Sequence, residues 1–177
     1  MRRLPAVLCL IAVSLALASC GNDKKTITET TKSGEVTTRT VPDVKFAKTK
    51  FVLYGGLAYG AFSRYVYKPY RAGAFKKGAP KRKRSIAKAA IAGAFTVNQL
   101  RLMRNAALSD DKLRPLADNI AKITPTLTSL AAGLKGGSIG SASDLTSISG
   151  QLDTLVKGAE AAGVDVPTDK VPPIPGL

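Results

Sequence analysis

The sequence predicts an all-α domain, a small bundle of about four helices arranged as two antiparallel hairpins within residues 44–163. Two observations predict this fold class. Near the carboxyl end, apolar residues recur at alternating spacings of three and four, which is typical of amphipathic helices. Earlier in the chain, two stretches are rich in alanine, glycine and other apolar residues and favour closely packed helices. The predicted helices span 44–67, 85–108, 110–134 and 143–162.

The first predicted helix contains a twelve-residue apolar run, 51–62, with glycines four residues apart at Gly56 and Gly60. Glycines at this spacing lie on one helix face and allow another backbone to approach closely. A run of this length is too short to span a bilayer, which needs about 20 residues. We therefore interpret it as a core helix, with a re-entrant or interfacial membrane helix as the alternative.

Residues 68–84 are predicted to connect the first two helices, because two prolines and two glycines interrupt regular structure there. Ser85 is predicted to cap the second helix, since a serine hydroxyl can accept from the first free backbone N–H groups. Small residues dominate 85–108, and we expect this helix to pack against the glycine face of the first one.

The last two helices carry the clearest periodicity. Ser109-Asp110-Asp111 is predicted to supply the cap of the third helix, and Pro125 is expected to bend or split that helix because proline lacks a backbone donor. Ser141 or Ser143 is predicted to cap the fourth helix, which Gly163 ends. The two apolar stripes are Leu113, Leu116, Ile120, Ile123, Leu127, Leu130 and Leu134, then Leu145, Ile148, Leu152, Leu155, Ala159 and Ala162.

Both ends of the domain are predicted to lack packed structure. Residues 20–43 are rich in threonine and charge, so they are predicted to form a disordered, flexible tether. A hairpin around Ser33-Gly34 is the less favoured alternative, because a lone two-stranded hairpin is marginally stable in water. Residues 164–177 contain four prolines and are predicted to form an extended tail.

The composition argues against an enzyme. The chain has no histidine, the residue that most often acts as a general base near neutral pH and that commonly binds metal ions through its imidazole ring. Cys9 and Cys20 are its two cysteines, and Asp110-Asp111 is better explained as helix capping than as an acid–base pair. We therefore predict no catalytic residue, no metal site and no cofactor.

Positive charge is concentrated in the first half of the chain. The net charge is +15, and residues 44–109 hold fifteen lysines or arginines and no acidic residue. Such a surface attracts anions, so we predict anionic phospholipid headgroups or an anionic cell-wall polymer as the partner. A solvated loop with no partner is the alternative. The candidate anion-binding residues are Arg71, Lys76, Lys77, Lys81, Arg82, Lys83 and Arg84.

Aromatic side chains are interleaved with these cations between Tyr54 and Phe75. Aromatic rings beside basic residues are typical of a membrane interface, where the rings lie at headgroup depth. Packing within the protein is the alternative, and it is the interpretation that we favour.

The first twenty residues have the three parts of an export signal. Met1-Arg2-Arg3 is basic, residues 4–16 are apolar, and Leu17-Ala18-Ser19-Cys20 places small residues before a cysteine. This order resembles the signal peptide and lipobox of bacterial lipoproteins. The resemblance implies that residues 1–19 are removed and that Cys20 receives diacylglycerol, with fatty acyl chains such as palmitate, which anchors the protein on the extracytoplasmic face of a membrane.

Together, the resemblance and the charge predict a non-enzymatic, membrane-anchored envelope protein. Export argues against a nucleic-acid partner for the run Lys81–Arg84, and nothing in the sequence identifies a protein partner. The alternative function is a carrier that holds a lipid or another apolar small molecule between its helices. Its motivation is the small residues of 55–61 and 87–94, which favour either close packing or an internal space.

Overall fold

The computed structural model describes residues 24–30, 36–168 and 174. The predicted signal peptide and Cys20 lie outside the described residues. The protein is mostly helical, as predicted, but the all-α prediction is wrong in one respect, since a two-stranded sheet is also present. The elements are β1 (Lys24–Thr30), β2 (Val36–Pro42), α1 (Ala47–Phe62), a π-helical turn (Ser63–Tyr67), α2 (Lys68–Arg71), α3 (Arg82–Ser109), α4 (Arg114–Lys135) and α5 (Ala142–Ala161).

The sheet is an antiparallel hairpin in the segment that was expected to be a flexible tether. Lys24 pairs with Pro42 at its open end and Thr30 pairs with Val36 at the other end. The prediction of disorder is therefore wrong for 24–30 and 36–42. That prediction assumed a hairpin without contacts to the rest of the domain, whereas the structure shows the hairpin attached to the helices.

Ser109, the last residue of α3, makes that attachment. Its hydroxyl donates to the carbonyl of Pro42 at 2.6 Å and accepts from the N–H of Val44 at 3.1 Å. Lys25 Nζ donates to the Ser109 carbonyl at 2.6 Å, and Val41 is only 3% exposed within the core. Of the three residues expected to cap the next helix, Ser109 does not do so, because its hydroxyl links the hairpin to the bundle. Asp110 Oδ1 instead accepts from the N–H groups of Lys112 at 3.0 Å and Leu113 at 3.3 Å, just before α4.

The helices share one hydrophobic core in which α3 lies in contact with both α1 and α4. Close approach depends on small side chains. A Cβ added to Gly93 of α3 would lie 3.1 Å from the Cβ of Ala131 on α4, and one added to Gly55 of α1 would lie 2.9 Å from Met103 Cε. The small residues of α1 and α3 therefore bring the helices together. The two apolar stripes of α4 and α5 also face the core, with Ile120, Leu127 and Ile148 fully buried.

The first helix continues further than expected. Residues 47–71 remain helical through Pro69, which was predicted to interrupt regular structure. The π-helical turn precedes this proline, and the N–H of Lys68 bonds to the carbonyl of Ser63, five residues back. A π turn is wider than an α turn, so it accommodates the proline ring where a regular α-helix would meet a clash.

The start of α3 also differs from the expectation. Ser85 is not its cap: the helix begins at Arg82, after Lys81, whose backbone is left-handed at φ 58°. Arg82 Nε donates to the carbonyl of Phe75 at 2.8 Å, and Phe75 is only 2% exposed. A buried aromatic and this hydrogen bond fold the connecting loop onto the helix start, so three more residues become helical.

The last two helices follow the predicted pattern closely. α4 runs through Pro125 without a break, so the predicted split is wrong; Thr124 Oγ1 donates to the Ile120 carbonyl at 2.7 Å just before the proline. Ser141 caps α5, where its hydroxyl and the Asp144 carboxylate bond reciprocally to backbone N–H groups. Gly163 follows its end in the left-handed conformation, φ 78°.

The described start of the tail packs back onto the bundle. Val164 and Val166 are buried, and Val166 Cγ1 lies 3.3 Å from the Cβ position of Gly55 on α1. The segment is non-helical, as expected, but it is docked against the bundle because these two valines supply apolar contacts. None of the helices among residues 24–168 is long and apolar enough to cross a membrane.

Candidate functional site

The seven predicted anion-binding residues lie at one end of the bundle, where α2 ends and α3 begins. Arg71 is the last residue of α2, Lys76 and Lys77 lie in the loop, and Lys81–Arg84 lead into the first turn of α3. All are exposed except Arg82, which is half-buried against the loop. We refer to these seven residues as the cationic end. Lys135, at the end of α4, lines a surface cleft with Arg82 and Lys83 and adds a cation that the sequence analysis missed.

The charges of the cationic end are not neutralised within the protein. None of the seven side chains forms an ion pair with a carboxylate in the part of the chain that the structure describes. The first turn of α3 contains no acidic residue either, although the amino end of a helix favours negative charge. Three cations in that turn therefore add to the positive end of the helix dipole, and the surface attracts an external anion.

The cationic end and the amino-terminal hairpin lie at opposite ends of the molecule. Arg82 begins α3 and Ser109 ends it, and Ser109 is bonded to Pro42, which pairs with Lys24. A helix of 28 residues is about 42 Å long, because each residue adds 1.5 Å. About 40 Å therefore separates the cationic end from the first described residues.

A second feature, a cleft between the π-helical turn and α5, adjoins the cationic end. Its volume is about 640 Å³. Arg71 belongs to both features. The lining residues are Tyr59, Phe62, Ser63, Tyr67, Lys68, Arg71 and Ala72 on one side and Ser149, Leu152 and Asp153 on the other.

The π-helical turn aligns one wall of this cleft. This wall carries side chains at intervals of four residues: Tyr59, Ser63, Tyr67 and Arg71. In a regular α-helix, the side chains at positions 59 and 71 would point in directions about 120° apart. A π turn takes more residues per turn and rotates the later positions back toward the earlier ones. All four side chains therefore line one cleft, an arrangement that helical periodicity in the sequence does not predict.

The opposite wall supplies the acidic group. Asp153, half-buried on α5, lines the cleft opposite Tyr59. Burial, together with the interaction of the Tyr59 hydroxyl with the negatively charged Asp153 carboxylate, raises the pKa of Tyr59 above its ordinary value of 10.0. The aromatic wall is ordered by Phe62 and Tyr67, whose rings stack with centroids 6.3 Å apart.

The aromatic residues from Tyr54 to Phe75 pack against the protein's own core. Phe62 and Phe75 are buried, and the five tyrosines are half-buried against the hydrophobic cluster. This cluster and its interleaved cations are visible in the sequence. Their proximity to Ser149 and Asp153 is not, because those two residues belong to a helix about 80 positions later.

No set of three or more histidine, cysteine, aspartate or glutamate side chains suited to a metal ion occurs among the described residues. Comparison of the chain with protein-family models, with curated proteins and with solved structures found no match. Functional conclusions therefore depend on the residues and their geometry.

Proposed function

We propose that the protein is a non-enzymatic lipoprotein of the bacterial envelope, anchored through Cys20 on the extracytoplasmic face of a membrane. Its cationic end binds an anionic partner, either lipid headgroups or a wall polymer. The observation that carries the proposal is the set of seven cations at one end of the bundle with no carboxylate partner in the described chain. Unneutralised charge at one place is typical of a surface that binds a polyanion.

The geometry favours a wall polymer over the anchoring membrane. Cys20 precedes Lys24 by four residues, so an extended chain places it at most about 14 Å from Lys24. Lys24 lies at the hairpin end, about 40 Å from the cationic end. An anchor at one end therefore directs the cationic end away from the bilayer unless the bundle lies flat on it.

The test compares two variants with the same change in charge. One replaces four exposed cations of the cationic end by serine: Lys76, Lys77, Lys83 and Arg84. Arg82 is kept, because its hydrogen bond to Phe75 holds the loop. The control variant replaces four exposed lysines elsewhere: Lys45, Lys48, Lys112 and Lys122. Both use chain 20–177 with Cys20→Ser, so that no lipid contributes to binding.

Binding is measured by co-sedimentation with insoluble anionic wall polymer and with vesicles of neutral or anionic lipid. A lysine or arginine at an anionic surface contributes about 1 kcal/mol, so loss of four weakens binding by roughly 4 kcal/mol, or about a thousandfold. We expect this loss in the first variant, with the control variant staying within about tenfold of the parent. Equal losses in both variants, or equal binding to neutral and anionic surfaces, would refute a role for the cationic end.

A further inference from the structure

The cleft beside the π-helical turn presents opposite charges to one open space. Lys68 and Arg71 lie at one side and Asp153 at the other, yet no ion pair within 4.0 Å joins them in the described chain. Oppositely charged groups that line the same space without pairing leave room for a ligand that contacts both. A volume of about 640 Å³ is in the range of small-molecule sites.

The charges of the cleft favour an anionic ligand. Two cations and one carboxylate give a net charge of about +1, so a neutral or zwitterionic molecule would leave one cation unneutralised. Inorganic phosphate would satisfy Lys68 and Arg71, but its hydroxyl donors lie on the same group as its negative charge, so a hydrogen bond to Asp153 would also bring that charge against the carboxylate. The ligand that satisfies all three groups is an anion whose hydroxyl donors are separated from its charged group.

The remaining lining residues suit the same molecule. Ser63 and Ser149 carry half-buried hydroxyls that bond to no other part of the described chain. The half-buried ring of Tyr67, which stacks on the buried Phe62, offers an apolar face for the C–H groups of a polyol or sugar. Aromatic walls with a few placed polar groups are typical of small-molecule sites.

We propose that this cleft binds a phosphorylated polyol or sugar, with the phosphate at Lys68 and Arg71 and the hydroxyls at Asp153, Ser63 and Ser149. Such a unit repeats along anionic wall polymers and also forms the headgroup of some phospholipids. The inference rests on the proposed function, since it names the chemical unit that the basic region recognises. The cleft residues are not among the four cations replaced in the co-sedimentation test. A negative result at the cleft is therefore distinguishable from a negative result for the cationic end.

The first experiment titrates ¹⁵N-labelled chain 20–177 carrying Cys20→Ser with glycerol 1-phosphate and follows backbone amide shifts. We expect shifts confined to 59–72 and 149–153. Lys68→Gln and Asp153→Ala should each weaken binding at least about tenfold, because each removes a hydrogen bond to a charged group. Lys83→Gln, a matched loss of charge outside the cleft, should change the Kd less than twofold.

Three results overturn the proposal: shifts spread over all exposed lysines, wild-type affinity in both cleft variants, or equally tight binding of the zwitterion β-alanine. Thermal unfolding of the variants shows that each remains folded. A second measurement is tyrosine fluorescence, because the chain has no tryptophan and two of its five tyrosines, Tyr59 and Tyr67, line the site.

Two competitors distinguish the sources of the ligand. An oligomer of three glycerol phosphate units represents a wall polymer, and vesicles of equal parts phosphatidylglycerol and phosphatidylcholine represent a bilayer. Displacement of glycerol 1-phosphate by one of them identifies the source and supports the proposal. Displacement by neither overturns it, even if the cationic end still sediments with polymer.

Discussion

Ser109→Ala tests the attachment of the hairpin, the element on which the orientation of the molecule depends. Ser109 is 8% exposed. Its oxygen lies 3.1 Å from the Val44 nitrogen, which donates to it, and 2.6 Å from the Pro42 carbonyl oxygen, to which it donates. Alanine keeps the α3 helix and the packing of its own Cβ, but it removes both links to the strand end.

The expected magnitude follows from those two hydrogen bonds. Leaving a buried donor or acceptor unpaired costs about 1–3 kcal/mol, and both groups here are only partly buried. The lower value for each gives about 2 kcal/mol for the pair. Because 1.4 kcal/mol is a factor of ten, the hairpin should open about 30-fold more often.

Amide hydrogen exchange measures this opening residue by residue. In Ser109→Ala we expect about 30-fold faster exchange at hydrogen-bonded amides of β1 and β2, with protection of α4 unchanged. Ser129→Ala, at an exposed position of α4, is the matched control and should leave the strands as they are. The reasoning is refuted if strand exchange is unchanged, or if α4 loses as much protection as the strands do.

Three further predictions concern the anchor, the helix contacts and the cleft. Cys20→Ser should abolish lipid labelling and move the protein out of the membrane fraction; retention at wild-type levels with the signal removed would contradict lipid anchoring. Gly150→Ala should raise the free energy of unfolding by about 0.5–1 kcal/mol in denaturant titrations, because an added Cβ meets nothing within 4 Å, whereas Gly93→Val should lower it by about 1–3 kcal/mol against Ala131. Tyr59 should ionise above pH 10.0, and its contribution to stability should be complete below that pH and lost as the pH rises through its folded-state pKa. Tyrosinate absorbance, compared with Tyr59→Phe, checks this, and an unchanged midpoint in Asp153→Ala would contradict the role of that carboxylate.

The amphipathic helices could be predicted from the sequence because their signals are local. The leucine and isoleucine stripes of α4 and α5 identify both helices, and Ser141 with Asp144 supplies a capping box within four residues. The cationic end is equally visible, since its residues are close together in the sequence.

The features that could not be predicted depend on contacts between distant residues. The hairpin is stable because its open end packs against the core and is bonded to Ser109, which is 67 residues from Pro42. The cleft requires a π-helical turn and a carboxylate from α5, and neither is indicated by the periodicity of 44–67. Local sequence patterns therefore predict the helices of this protein, but they do not predict the contacts that the helix ends make with distant parts of the chain.

Site-specific photo-crosslinking in the cells that make the protein tests the central claim most directly. A photoreactive residue at Lys83 samples the cationic end, and one at Lys112 samples the hairpin end; both positions are exposed. The account predicts that crosslinking from position 83 gives high-mass products containing radioactive phosphorus from labelled wall polymer, and that position 112 gives none. Equal products from both positions, or none from position 83, would contradict it.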